Sequence, residues 1–251
     1  MSSGIVLRIE RSSIHDGDGL RTVIFLKGCP LSCAWCSTPE GQALEITEIE
    51  TKVYGYEMTA DELLDEVVKD EIFFYHSGGG ITFSGGEPLL QADFVADVMQ
   101  RARSLGIDTA MESSMSLPYS EIDKILPHLD VLFADLKHID PERHKFYTGI
   151  DNKLILDNIS RVAQVNLPIK LIVRIPLVPG INDDEKTIRG MGKFLRTLKK
   201  LERVEILPYH KLGISTYDKM GLEYKLRETK IPSSEHIENA KDILRGYISS
   251  I

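Results

Sequence analysis

A chain of 251 residues, 42% of them hydrophobic, is long enough to bury one sizeable core within a single domain. Its 38 acidic residues outnumber 30 basic ones, a net charge of −8, which argues against a surface built to grip a phosphate backbone. No apolar run is long enough to span a bilayer, and Met1-Ser2-Ser3-Gly4 lacks the charged-then-apolar layout of a secretory leader. The expectation is a cytoplasmic protein without nucleic-acid or membrane partners.

Apolar, β-rich runs alternate with helical patterns along the whole chain. Residues 22–27 (TVIFLK) predict a strand that stops at Gly28. Residues 59–68 predict a helix opened by a capping box of Thr59 and Glu62. A short strand at 81–83 runs into Ser84-Gly85-Gly86, and Phe94, Val95, Val98, Met99 and Ala102 then mark one apolar helical face. A strand follows at 107–111, a helix at 121–129 with Ser120 as its cap, a strand at 130–136 and a helix at 154–165. The pattern continues with a strand at 169–175, a long helix over 184–200, a strand at 203–207 and a closing helix at 234–247. About six β-then-α units predict an α/β fold with a parallel sheet. A partial barrel and an open doubly wound sheet both fit, and in either the reactive groups collect at the C-terminal ends of the strands.

The three cysteines lie within eight residues of one another. An odd, clustered set is not a disulfide framework; it points to a reducing compartment and to metal. Cys29, Cys33 and Cys36 have the spacing C-x3-C-x2-C just after a predicted strand. Thiolates are the ligands of iron–sulfur clusters, and three on a short loop hold three irons of a cubane. With no fourth cysteine, the fourth iron stays open to an external chelator, which marks a catalytic centre. A structural zinc site is the plainer alternative. It needs four protein ligands; His15 is one fourth donor, but the cysteine spacing is not that of a finger or ribbon.

Beyond the cysteines, the chain carries His15-Asp-Gly-Asp-Gly-Leu-Arg21, Phe25-Leu-Lys-Gly-Cys29 and Gly78-Gly-Gly-Ile-Thr-Phe-Ser-Gly-Gly-Glu-Pro-Leu-Leu90. Asp135-Leu-Lys137, Arg174, Pro179-Gly180 and Leu207-Pro-Tyr-His210 follow in the same order. Together with Cys29-x3-Cys33-x-Trp35-Cys36 these resemble the glycyl radical enzyme activating enzymes of the radical S-adenosylmethionine (SAM) superfamily, over nearly the whole chain. The resemblance implies one radical SAM domain over residues 1–251, folded as a partial (β/α)6 barrel with parallel strands. It implies one [4Fe–4S] cluster on Cys29, Cys33 and Cys36, whose open iron is chelated by the amino and carboxylate groups of SAM. Reductive cleavage would yield methionine and a 5′-deoxyadenosyl radical, which takes a hydrogen atom from a backbone glycine of a partner glycyl radical enzyme. The partner's glycine loop would enter the open barrel, and a flavodoxin or ferredoxin would supply electrons.

The same resemblance implies roles for individual residues. Ser84, Gly85, Gly86 and Glu87 would bind the methionine amino group; alone they read as an ordinary strand-to-helix turn. Lys137 would meet the SAM carboxylate and Asp135 a cation or the ribose; alone, two residues apart on a strand, they read as an ion pair on one face. Glu112, Ser113, Asp135 and the backbone of Phe133 would hold a monovalent cation, Na+ or K+, since oxygen donors suit hard cations. His210 would contact the ribose, whereas a lone histidine reads as a surface or satisfied core residue. Trp35 would pack on adenine, and its simpler role is core packing. Arg174, at a strand end, would be a further cofactor-binding residue, suited to bidentate pairing with a carboxylate.

The chain departs from the family pattern at three places. Ser37-Thr38 follows the third cysteine where many relatives have His-Asn. Asp16-Gly17-Asp18-Gly19 replaces Asp-Gly-Pro-Gly, and Glu112-Ser113-Ser114-Met115 lacks the glycine that often ends this motif. The stretch 41–58 holds no cysteine, so the auxiliary clusters inserted there in longer relatives are not expected. The rival functions are a radical SAM enzyme acting on a small molecule, and a non-enzyme: a cluster-bearing sensor or a zinc protein.

Overall fold

Six β-rich stretches form the parallel centre of one sheet. The computed structural model of the chain describes residues 2–49 and 51–251. The strands are β1 (Ser3–Ser13), β2 (Arg21–Leu26), β3 (Thr47–Ile49), β4 (Lys52–Tyr54), β5 (Tyr56–Thr59), β6 (Gly80–Gly85), β7 (Asp108–Ser113), β8 (Val131–Asp135), β9 (Lys170–Leu177) and β10 (Arg203–Pro208). The helices are α1 (Ala60–Val67), α2 (Glu71–Ser77), α3 (Ala92–Ser104), α4 (Tyr119–Ile125), α5 (Pro141–Thr148), α6 (Lys153–Val162), α7 (Glu185–Leu195), α8 (Ile214–Lys219) and α9 (Ser234–Arg245). Eight strands pair in the order β10-β9-β8-β7-β6-β2-β1-β5, while β3 and β4 form a separate hairpin. The run from β2 to β10 is parallel; β1 is antiparallel to β2, and β5 to β1.

Alternation along the strands decides between the two architectures left open by the sequence. Ile24, Leu26, Ile81, Phe83, Met111, Leu132, Ala134, Leu171, Val173 and Ile175 turn to one face, where they join the main core with residues of α1, α3, α4, α6, α7 and α9. The opposite face carries a small apolar group, Ala110, Val131, Phe133 and Ile172, and is otherwise lined by charged and polar side chains. A doubly wound sheet buries both faces under helices. Helices on one face of a curved parallel sheet give a barrel, and β10 and β5 remain unpaired edges, so the barrel is partial.

The capping box is formed as the sequence predicts: Glu62 N–H donates to Thr59 Oγ1 at 3.3 Å and Thr59 N–H to Glu62 Oε2 at 2.8 Å. Several boundaries differ, two of them for a visible reason. The expected helix over 184–200 ends at Leu195, because Thr197 and Leu198 donate three residues back, to Phe194 and Leu195, in tightened turns. Ser120 is not a cap: Pro118 takes that position and α4 begins at Tyr119.

The loop between β1 and β2 is folded onto the concave face. Thr82 Oγ1 donates to Asp16 O at 2.7 Å, Arg174 Nη2 to His15 O at 2.7 Å, and Lys170 pairs with Asp18 at 2.8 Å. Beneath it Arg21 is fully buried, donating to Thr82 Oγ1 at 3.1 Å and to Asp108 at 2.6 Å. These contacts floor the lower half of the barrel.

Candidate active site

The cysteine loop leaves β2 through Gly28, whose φ of +93° suits glycine. It is pinned from two sides. Gly28 and Cys29 N–H donate to Gly41 O and Gln42 O at 2.8 and 2.9 Å, and Ser32 and Ala34 N–H to Thr148 O and Tyr147 O at 2.8 and 2.9 Å. All three cysteines are reduced and half-buried. Burial pushes the Cys29 and Cys33 thiols up to about 12; Cys36 adds to both and Glu87 to Cys29, while Lys137 opposes the rise at each. Lys137 lies within electrostatic reach of both thiols.

The glycine loop after β6 closes against the cysteine loop. Gly85 has φ +104°, and a Cβ there would sit 2.5 Å from Leu26 N; a Cβ on Gly86 would sit 2.1 Å from Gly28 O. Side chains are excluded so that two backbones touch. Glu87 N–H donates to Gly28 O at 2.7 Å, sealing the junction. The Glu87 side chain goes elsewhere. It is fully buried and accepts from Ser113 Oγ at 2.7 Å, Ser114 N–H at 2.8 Å and the Ser114 hydroxyl. Burial pushes its pKa up, against those hydrogen bonds. Its carboxylate thus braces the end of β7, close enough that its charge also raises the Cys29 thiol.

On the concave face, β7 to β10 bring one charged row together. Register pairs Asp135 with Arg174 and Arg174 with Glu205, and Glu112 lies beside Phe133. Arg174 is spent on protein partners: Nε to Glu205 at 2.9 Å, Nη1 to Glu112, Nη2 to His15 O, with its guanidinium carbon 3.7 Å from the centre of the Phe133 ring. Ser84 Oγ donates to Glu112 at 2.5 Å. Burial raises Glu112 to about 7; Arg174 opposes this and the neighbouring Asp16 carboxylate adds to it. Lys137 donates to Asp135 at 2.5 Å. Burial pushes Lys137 down, but Asp135, Cys33 and Cys29 outweigh it and hold the amine well above the ordinary lysine value.

Ser113 stands apart from its expected companions. It follows Glu112, so it points to the opposite face of the strand, and its hydroxyl serves Glu87. Of the four cation donors expected from the sequence, the Glu112 and Asp135 side chains share the concave face, while the Ser113 hydroxyl does not. Trp35 packs on a second apolar group of Val178, Ile181, Tyr209, Tyr217 and Tyr224. His210 is exposed beyond the end of β10.

Three site-building residues have no role assigned from the sequence, although Asp16 and Lys27 lie within the quoted motifs. Asn182, fully buried, donates to Lys137 O and Pro176 O and accepts from Val178 N–H at 2.8 Å, tying the ends of β8 and β9 together. Its signal was its place two residues after Pro179-Gly180. Lys27, also fully buried, donates to Glu40 O at 2.7 Å and Thr47 Oγ1 at 3.1 Å, anchoring the chain that leaves the cysteine loop. Asp16 reaches Glu112 from the floor loop.

The donor set fits a cubane. Among the described residues, no three His, Cys, Asp or Glu side chains close on one point as a single ion requires. A cubane instead takes each thiolate on a separate iron. The family description "Radical SAM superfamily" matches residues 23–190. The chain belongs to the radical SAM superfamily. Among radical SAM relatives it is 36% identical to the (2S)-3-sulfopropanediol dehydratase activating enzyme of Klebsiella oxytoca, covering 91% of this chain and 89% of that one. It is 35% identical to the pyruvate formate-lyase-activating enzyme of Clostridium pasteurianum, covering 99% and 100%. The first alignment runs over 283 positions and the second over 248, so the second relative has the compact length of this chain. A solved domain of a pyruvate-formate lyase-activating enzyme from Bacteroides vulgatus superposes with a TM-score of 0.57 at 33% identity, over 67% of this chain and 94% of that one. A radical SAM methyltransferase from Sphaerobacter thermophilus superposes at 0.65 with 15% identity, over 96% and 74%, a likeness of fold alone. These relatives place the chain among the glycyl radical enzyme activating enzymes.

Proposed function

We propose that the chain activates a glycyl radical enzyme by removing a hydrogen atom from one of its backbone glycines, with a [4Fe–4S] cluster on Cys29, Cys33 and Cys36. The observation that carries this reading is the three-thiol loop pressed against the Gly85-Gly86 backbone with Lys137 alongside. When bound, the cluster supplies one electron for the reductive cleavage of SAM. The chain's own groups do the positioning. Gly85 and Gly86 offer backbone to the methionine amino group at close range. Lys137, kept charged by Asp135, balances anionic thiolates and is the natural partner of the SAM carboxylate. Exposed His210 is assigned to the ribose, and Trp35, among the tyrosines, to a wall beside the adenine. Glu112 and Asp135 provide oxygen donors for a monovalent cation, with the Phe133 backbone.

Residues 1–251 are read as one radical SAM domain without auxiliary clusters, in keeping with the alignment to the compact Clostridium pasteurianum relative. One cluster cannot draw electrons from a second, so a flavodoxin or ferredoxin is the proposed donor, in the reducing cytoplasm. No helix among the described residues is long and apolar enough to cross a membrane. The test is anaerobic: load the protein with iron and sulfide, reduce it, add SAM, and quantify 5′-deoxyadenosine. Adding a glycyl radical enzyme encoded nearby should then produce an organic radical signal on that partner. Retention of about one zinc per chain, without iron or product, would defeat the proposal.

A further inference from the structure

We infer that α5 keeps the cluster strongly reducing by taking up backbone N–H groups that would otherwise turn toward its sulfurs. This rests on the cluster reading above. A helix ends with carbonyls that have no partner within the helix. At the end of α5 two of them, Tyr147 O and Thr148 O, accept from Ala34 and Ser32, the residues on either side of Cys33. The cysteine loop is in effect the cap of α5.

Five of the loop's backbone donors have a partner. Residues 29–36 contain one proline and so seven backbone N–H groups. Four end on carbonyls: Cys29 on Gln42, Ser32 on Thr148, Ala34 on Tyr147 and Cys36 on Cys33. Leu31 faces the thiol of Cys29. Hydrogen bonds to cluster sulfurs stabilise an added electron and raise the reduction potential. Donors held by α5 cannot do so. The negative end of the helix, aimed at the loop, also disfavours added negative charge, so both effects lower the potential.

The end of α5 is itself held in place. Thr148 is fully buried, and its hydroxyl donates to His144 O at 2.8 Å and lies 3.2 Å from Ile150 O. His144, also buried, has Nδ1 2.6 Å from Ile150 O; a carbonyl only accepts, so Nδ1 carries the hydrogen. Gly149 turns the chain with φ +94°, and a Cβ there would lie 2.8 Å from Ser32 Oγ. His144 is therefore a positioning residue that acts on the cluster through the carbonyls of α5.

The experiment compares cluster-loaded wild type with His144→Ala and His144→Asn. Iron and sulfide per chain, amide hydrogen exchange across residues 29–36, and the midpoint potential from an EPR-monitored redox titration are measured on each. His144→Ala should keep its cluster, exchange the Ser32 and Ala34 amides at least about tenfold faster, and shift the potential upward. His144→Asn, which retains a side-chain donor, should restore both in part. Faster exchange with an unchanged potential would overturn the inference, as would unchanged exchange. Loss of iron from the variants would also overturn it, leaving α5 as a holder of the loop. If His144→Ala does not fold, Gly149→Ala with the same readouts decides. A wild type that takes up no iron would instead sink the cluster reading itself.

Discussion

Glu87 and Glu112 occupy neighbouring loops and strands yet do unlike work, because one points out of the barrel and the other into it. Glu112 shares its pocket with Asp16 and Arg174, and its pKa of about 7 lies above the ordinary 4.5. The folded protein therefore holds a proton there that the unfolded chain has lost. That contribution to stability is complete below about pH 4.5, falls as pH rises, and is gone above about 7. Between pH 5 and 8 the wild type should lose more stability than Glu112→Gln, by on the order of 1–3 kcal/mol, measured as the difference in urea midpoints at each pH. Cys33→Ala should leave a folded protein that cannot hold the cubane on two thiolates. Iron analysis should find less than a full cluster, and no 5′-deoxyadenosine should form; normal turnover would remove the basis of the assignment. At this scale the three clustered cysteines were legible from spacing, whereas the glycine pair and Lys137 stood out only through the family resemblance. The directions of the Glu87 and Ser113 side chains were not, because motif letters do not record which side of a strand a residue takes. Met115 makes the converse point. It stands where relatives often have glycine, yet it keeps a left-handed φ of +59°. The side chain is fully buried and its carbonyl accepts from Asn158 Nδ2 at 2.8 Å.

The turns between elements carry the site's tolerances. Gly86→Ala would put a methyl group 2.1 Å from Gly28 O, backbone against backbone, so the cysteine loop must move. A displacement of this kind costs about 100-fold in rate. The check is kcat together with SAM affinity, and a near-normal enzyme would show that the two loops are less closely coupled than described. Each of the six parallel strands and most long helices could be read from the sequence, since each has an apolar stripe or run that packing requires. Elements without such a stripe were missed. α5, PERHKFYT, buries only His144 and Thr148, so its helix is specified by Asp140, which caps it, by Pro141 and by Gly149 rather than by hydrophobic period. β1 and β5 were missed as well, because short apolar stretches interrupted by charged residues look like loops.

For the whole molecule, burial of the thiols has a consequence for assembly. Cys29 and Cys33 are neutral in the free protein at physiological pH, and iron binds only thiolates. Cluster loading should therefore release protons and proceed faster at pH 8.5 than at pH 7.0, followed by the growth of the charge-transfer absorbance. A rate independent of pH would mean that the thiols are already ionised. The partial barrel follows from charged residues facing inward from parallel strands, but the sequence left open whether helices cover one face or two; only the packed core decides that. The floor laid by the loop before β2 has a further result. With the base covered, what reaches the cysteine loop must come over the C-terminal ends of the strands or through the gap between the unpaired edges β10 and β5, so the incomplete wall is itself a way in.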